Sequence, residues 1–338
     1  MASTTKIMTA LIVIENSDLN STANISKKAA GTGGSRLGLK TGDKITIHDL
    51  LYGLLLRSGN DAAVALAENV AGSIPEFAEL MNNKASQLGL INTHFESPHG
   101  LDSDNHYTTA YELAMLTDIA LKNKTFASIV GTKTYTITLN GSPKTLSNTN
   151  ELLGNLNGVY GVKTGFTNGA NRCLVSSCKR GDMDIICVVL GADTKKFRTS
   201  DSIKLIEYCF NNFKYVNTEE IAKNALSNWK TNNLSSLVIN KGQYQSIDLD
   251  ISPFEYSTIP INKDFINNIK TDIYVKNELQ APIYKDQILG FIKISSDNNV
   301  ICNINIISKT SIPKKNISNY FYDFTKNYFY ICKNFVNI

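Results

Sequence analysis

Ser3 and Lys6 stand three positions apart, separated by Thr4 and Thr5 and followed by the apolar run Ile7 to Ile14. On a helix they share one face, one turn from each other. A lysine amine within reach of a serine hydroxyl can take its proton and leave a nucleophile, with no histidine needed. To act as a base near neutral pH, that amine must have its pKa brought from about 10.4 to about 7. Burial and a second cation both push it that way. Two more groups supply what the pair lacks. Ser58-Gly59-Asn60 interrupts a helical apolar pattern between Leu50–Leu56 and Asp61–Glu68, as a short loop projecting into a cleft would. Lys163-Thr164-Gly165 ends a strand-like run and brings the second cation. Lys40-Thr41-Gly42 repeats the letters in a loop before Asp43-Lys44 and is set aside.

Periodicity gives the elements that must hold these residues. Residues 3–17 read as a buried amphipathic helix. Residues 46–68 read as two helical stretches around the Ser58 bend, with Asp49 as a capping residue. Further helices are expected over 74–88, ended by Gly89, and over 109–122. The alternation over 133–139 is a strand, and Asn140-Gly141 is a hairpin turn signal. Strands over 160–165, 172–178 and 185–190 then precede a helix over 199–213. A helical cluster with an antiparallel meander is an α+β domain.

The ordered set is specific where each motif alone is not. It resembles the serine-type D-alanyl-D-alanine carboxypeptidases, the low-molecular-mass penicillin-binding proteins (peptidase S11-like). Met1 to Ala10 resembles that family's nucleophile segment, Leu50 to Ala63 its second block and Gly161 to Thr167 its third. The likeness implies a β-lactamase/transpeptidase-like domain over 1–215, a small all-β domain over 216–310 and an amphipathic helix over 311–338 as a candidate membrane anchor. It implies an acyl-enzyme on Ser3 with Lys6 as general base, Ser58 relaying a proton and Asn60 holding Lys6 or the substrate amide. Lys163, Thr164 and, by register with the family, Arg198 would bind the substrate's terminal carboxylate. Gly165 would let the substrate backbone lie close to the strand edge, and the N–H groups of Ser3 and Phe166 would form the oxyanion hole. The implied partners are peptidoglycan stem peptides, whose terminal D-alanine is removed, β-lactam antibiotics, and the bacterial cytoplasmic membrane surface.

A D,D-endopeptidase is a near variant and a β-lactamase a distant one. The alternative of another class is a non-catalytic, truncated protein that binds penicillin or cell-wall peptide without turnover. It draws on the family's first strands and signal sequence, neither of which precedes Ser3; no cleavage site follows the apolar run, so the chain reads as lacking a signal peptide. The full-length protein is expected to be extracytoplasmic and membrane-associated. Ala170-Asn171 stands where the family usually has Ala-Gly, a position suited to glycine's backbone freedom.

Composition removes other classes. The 338 residues carry 34 basic and 30 acidic side chains, a net +4 too small and scattered to mark a nucleic-acid binder. The six cysteines form no Cys-x-x-Cys pair; Cys173, Cys178 and Cys187 lie in strand-like runs as buried thiols. His48, His94, His99 and His106 lack metal-ligand spacing, and no cofactor is expected. The Gly31–Ser35 loop lacks the Gly-Lys-Ser/Thr of a phosphate loop and reads as a turn. Glu151 to Asn155 imitates the Glu-x-x-x-Asn of class A β-lactamases but lies too near Lys163 in the chain to carry a deacylating glutamate. Beyond residue 216, short alternating runs punctuated by prolines suggest strands. At the end, Phe321, Phe324, Tyr328, Ile331, Phe335 and Ile338 recur at helical spacing, with Asp323, Lys326, Lys333 and Asn337 opposite. That aromatic face suits a membrane interface.

Overall fold

The computed structural model describes residues 1–254, 257–297 and 299–335. The chain divides into two compact units, Met1–Asn211 and Asn212–Ile338.

In the first unit α1 (Lys6–Asn16) is buried from Lys6 to Val13, so it is a core helix rather than a surface one. Around it run β1 (Thr22–Asn24), α2 (Lys27–Gly31), β2 (Lys44–Thr46), α3 (Ile47–Leu55), α4 (Asn60–Ala71) and α5 (Ile74–Gln87). Next come α6 (Ala110–Lys122) and α7 (Lys124–Val130), the latter unforeseen in the sequence. One continuous core includes Met8, Leu11, Leu50, Leu54, Leu66, Phe77 and Phe126. The cap of α3 is Thr46, whose side chain accepts from the N–H of Asp49, rather than Asp49 itself. Asp49 instead accepts from the Thr138 N–H at 2.8 Å, tying α3 to a hairpin. That hairpin is β3 (Thr134–Leu139) and β4 (Ser142–Ser147), turned at Asn140 and Gly141 with φ of 51° and 77°, the left-handed pair a tight hairpin needs.

A three-stranded antiparallel sheet follows: β5 (Val159–Thr167), β6 (Asn171–Arg180) and β7 (Met183–Ala192), in that spatial order. Both strands of the β6–β7 hairpin run past the apolar stretches. Lys179 pairs with Asp184 and Arg180 with Met183, so polar residues extend the ladder to the turn. Alternation splits the sheet between two cores. Val162 and Val175 face the helical core, while Leu174, Cys178 and Cys187 pack with Ile206 of α8 (Lys195–Asn212). Cys173, Cys178 and Cys187 are buried free thiols. α8 starts four residues before the apolar pattern does, because the Thr194 hydroxyl accepts from the Phe197 N–H at 3.1 Å. Arg198 therefore falls in its first turn.

The second unit contains β8 (Phe213–Asn217), α9 (Thr218–Asn233), β9 (Val238–Asn240), β10 (Leu249–Ile251), β11 (Thr258–Asn262), α10 (Lys263–Ile266), β12 (Ile269–Val275), β13 (Glu278–Gln280), β14 (Ile288–Ser296) and β15 (Asn299–Ser308). Its main sheet has the order β10-β15-β14-β12. The helix α9 departs from the expectation of strands alone: Asn217 caps it, and Ala222, Leu226 and Trp229 place one apolar stripe in the core. The unit ends in α11 (Ile317–Phe335), where Phe321, Tyr322, Phe324, Tyr328, Phe329 and Tyr330 are exposed. Asn337 and Ile338, part of the predicted face pattern, lie outside the described residues. Among the described residues no helix is long and apolar enough to cross a membrane.

Asp61, fully buried at the start of α4, fixes the loop that shapes the Ser58 bend. Oδ1 accepts from the N–H groups of Leu37 and Ala62, and Oδ2 from those of Gly38 and Leu39. An asparagine can satisfy only one side, because its amide would turn N–H against N–H. Asp61→Asn should lose about 2–4 kcal/mol for two unpaired buried donors, measured by chemical denaturation; an unchanged midpoint would remove Asp61 from this role.

Candidate active site

Ser3 lies on a 3-10 turn, Ala2–Thr5, that runs into α1 at Lys6, rather than on the α-helix itself. At three residues per turn, positions i and i+3 eclipse. Lys6 Nζ accordingly reaches Ser3 Oγ at 2.8 Å. Two further oxygens complete its surroundings, Asn60 Oδ1 and the His99 carbonyl, each at 2.8 Å. The Asn60 amide donates to the Gly33 carbonyl at 2.8 Å, which fixes which end faces Lys6. Both of these oxygens are acceptors only, so a neutral amine would give them its two N–H bonds and turn its lone pair to the Ser3 hydroxyl. Lys6 is fully buried, and burial, followed by the nearby charge of Lys163, holds its pKa well below the ordinary value, against an opposing pull from Asp61. A shift in this direction is what a lysine needs to accept a proton near neutral pH.

A second loop braces the Ala2–Thr5 turn from behind. Gly100 has φ +82°, and a Cβ there would stand 2.0 Å from the Ala2 carbonyl oxygen. The Thr9 hydroxyl donates to the Pro98 carbonyl at 2.7 Å. His106 Nδ1 accepts from the Glu96 N–H at 3.0 Å, so Nε2 carries the proton and donates to Thr5 Oγ1 at 2.8 Å. The Thr5 hydroxyl in turn donates to the Ala2 carbonyl at 2.8 Å. Burial lowers the pKa values of His99 and His106 to about 4, so both are neutral. Neither histidine had a task legible in its spacing: His106 steadies the Ala2–Thr5 turn through Thr5, and the His99 ring accepts from the Leu101 N–H at 3.2 Å within its own loop. Among the described residues no cluster of His, Cys, Asp or Glu could hold a metal ion.

The bend carries Ser58 in the left-handed region at φ 62°, with its side chain almost buried. The Asn60 N–H donates to the Ser35 carbonyl at 2.8 Å, pinning the bend to the Gly-rich loop. Across the cleft β5 is an edge strand, paired only with β6 among the described residues. Lys163 is 1% exposed; burial, then Arg198, lowers its pKa to about 7. Its ammonium donates to the Thr164 carbonyl at 3.0 Å, and Thr164 Oγ1 meets Thr149 Oγ1 at 2.8 Å. Gly165 has a reason the sequence did not show. A Cβ there would lie 3.1 Å from Ala2 Cβ and 3.1 Å from the Met1 carbonyl oxygen. The bare backbone thus lets the Ala2–Thr5 turn sit against β5. Asn171, in the glycine-suited place, adopts φ 54°, a conformation asparagine tolerates.

Ser3, Ser58, Thr164, Gly165, Phe166 and Arg198 all line one cavity of about 530 Å³, with Lys6, Asn60 and Lys163 bonded into its buried walls. Five cations border it, Arg36, Arg57, Arg172, Lys195 and Arg198. The guanidinium of Arg172 stacks 3.5 Å over the half-exposed Phe166 ring. Glu151, set aside in the sequence, is on the wall as well, beside Lys195 and Arg198. The arrangement suits an anionic ligand laid along a strand edge, with a carbonyl presented to Ser3.

A profile of D-alanyl-D-alanine carboxypeptidase, peptidase S11, matches residues 1–194, and one of the penicillin-binding protein 5 C-terminal domain matches residues 237–314. The chain is 35% identical to the D-alanyl-D-alanine carboxypeptidase DacF of Bacillus subtilis, over 93% of this chain and 79% of that one. It is 32% identical to DacA of Escherichia coli, over 97% and 81%. The fold is similar to penicillin-binding protein 5 from Haemophilus influenzae, with TM-score 0.77, 30% identity and coverage of 93% of this chain and 90% of that one.

Lys163 supplies a test by stability. Its pKa of about 7 in the folded chain lies below the value near 10.4 of an unfolded lysine. Between those values the unfolded state binds more protons, so stability rises with pH from about 7 towards 10. Lys163→Met should flatten that rise by up to about 1.4 kcal/mol per pH unit, read from denaturation midpoints across the range. Parallel profiles for the two proteins would contradict the lowered pKa of the buried lysine.

Proposed function

The chain belongs to the D-alanyl-D-alanine carboxypeptidase family and is a serine-type hydrolase, and from that premise we propose that it removes the terminal D-alanine of peptidoglycan pentapeptides through an acyl-enzyme on Ser3. The observation that carries this reading is the buried Lys6 amine, 2.8 Å from Ser3 Oγ, with its other neighbours both acceptors.

The steps follow from the groups present. The substrate lies along the open edge of β5, continuing the sheet. Its terminal carboxylate meets Thr164, Lys163 and Arg198. The Ser3 oxygen attacks the carbonyl between the two D-alanines, and its proton passes to Lys6 Nζ. The oxyanion is held by the N–H groups of Ser3 and Phe166, with the N-terminal end of the helix beneath it. When the C–N bond breaks, the leaving amine takes a proton through Ser58 Oγ, and D-alanine departs. Lys6, neutral again, accepts a proton from water as it attacks the ester, which frees Ser3 and the shortened peptide. A β-lactam enters the same path: Ser3 attacks its ring amide, and the opened ring stays attached as the acyl group.

We assign catalysis to residues 1–215, with residues 216–310 as an accessory module. The exposed aromatic side chains of α11 support a resting place for residues 311–338 on the outer surface of the bacterial cytoplasmic membrane.

Fluorescent penicillin should label the wild-type protein covalently and Ser3→Ala not at all. Lys6→Met should acylate at least about 10²-fold more slowly, the usual cost of losing a general base. A folded protein that takes no label would favour a binding protein without turnover.

A further inference from the structure

Glu151 is the one carboxylate among the side chains that line the cavity, and the cationic groups beside it are those an incoming anion would seek. Its Oε1 pairs with Lys195. Its Oε2 lies 3.5 Å from Arg198 Nη2 and accepts from the Thr199 hydroxyl at 3.4 Å. The hydrogen bond from Lys195, and then the charges of Lys195 and Arg198, hold its carboxyl below the usual range against burial. Arg198 is loosely satisfied for so buried a cation. It is 4% exposed, its Nε has no hydrogen-bond partner among the described residues, and its Nη2 contacts to Glu151 and Thr199 are both 3.5 Å. Such distances are at the outer limit of hydrogen bonding. A planar guanidinium can take a carboxylate in two parallel bonds, and Glu151 does not make them.

We propose that Glu151 is a built-in competitor for the carboxylate-binding wall, occupying Lys195 and Arg198 in the free enzyme and opposing any second carboxylate that arrives there. This rests on the carboxypeptidase reading above. A peptide substrate overcomes the opposition because it is also held along β5 and at Ser3. Free D-alanine, the product, brings the same carboxylate without those anchors and is expelled. Glu151 thus favours product release at the expense of substrate affinity, and it is a specificity-setting residue rather than a catalytic one.

The test is steady-state hydrolysis of an acylated peptide ending in D-Ala-D-Ala by wild type, Glu151→Gln and Glu151→Ala. Both variants should lower KM by roughly fivefold or more, as removing a like charge at a partly screened site does, without raising kcat. Inhibition by added D-alanine should strengthen by a similar factor. The same peptide ending in D-alaninamide, which has no terminal carboxylate, should show no such gain. If Glu151 only orients Arg198, KM rises in both variants and D-alanine inhibits less; that result, or no change, overturns the proposal. Penicillin labelling of the wild type separates the two layers. Absence of label defeats the carboxypeptidase reading itself, whereas normal label with an unmoved or raised KM defeats only the role of Glu151.

Discussion

A lysine amine enclosed away from water must find its hydrogen-bond partners inside the protein, and the first unit is arranged around meeting that demand for Lys6. Its three neighbours come from three places: Ser3 from the turn before α1, Asn60 from the start of α4, and the His99 carbonyl from the loop before α6. None could shift far without stranding a buried polar group, a loss of about 1–3 kcal/mol each. The Ser3 hydroxyl is therefore held by packing and hydrogen bonds at once. The neighbouring cation Lys163 adds to the same effect, since two buried ammonium groups disfavour each other's charge.

Close approach of backbone completes the assembly. Gly100 lets one loop touch the Ala2 carbonyl, and Gly165 lets β5 touch Met1 and Ala2. The Ala2–Thr5 turn is thus clamped between a loop and a strand where any side chain would intrude. Asp61, with its four N–H partners, does the corresponding work for the Ser58 bend. The motif residues supply the chemistry, and these supporting residues supply the spacing.

Much of this was legible in the letters, for reasons that differ by residue. Ser3 and Lys6 stand out by their three-residue spacing ahead of an apolar run, Ser58 and Asn60 because they interrupt a helical pattern, and Lys163 because it ends a strand-like one. The helices and the β5–β7 meander follow from periods of 3.6 and 2. What escaped is local or reciprocal. The 3-10 turn at Ala2–Thr5 differs from an α-helix by a hydrogen-bond register that no side-chain pattern records. His106 and Gly100 act through contacts about a hundred residues away along the chain. Glu151 imitated a β-lactamase motif without being placed to deacylate; its seat on the cavity wall, beside Lys195 and Arg198, is set by tertiary contacts that the local letters do not record. The helix α9 was missed where Asn and Lys dominate the composition, although Asn217 and the Ala222–Leu226–Trp229 stripe carried the signal.

The open side of β5 carries a further implication. Unpaired backbone along a strand invites another copy of the same strand, the usual beginning of self-association. Here that margin is ringed by Arg36, Arg57, Arg172, Lys195 and Arg198. Two molecules meeting margin to margin would bring like charges together, whereas a short acidic peptide would be drawn in. Positive charge along that margin therefore opposes edge-to-edge pairing of two copies while leaving the strand open to an anionic guest.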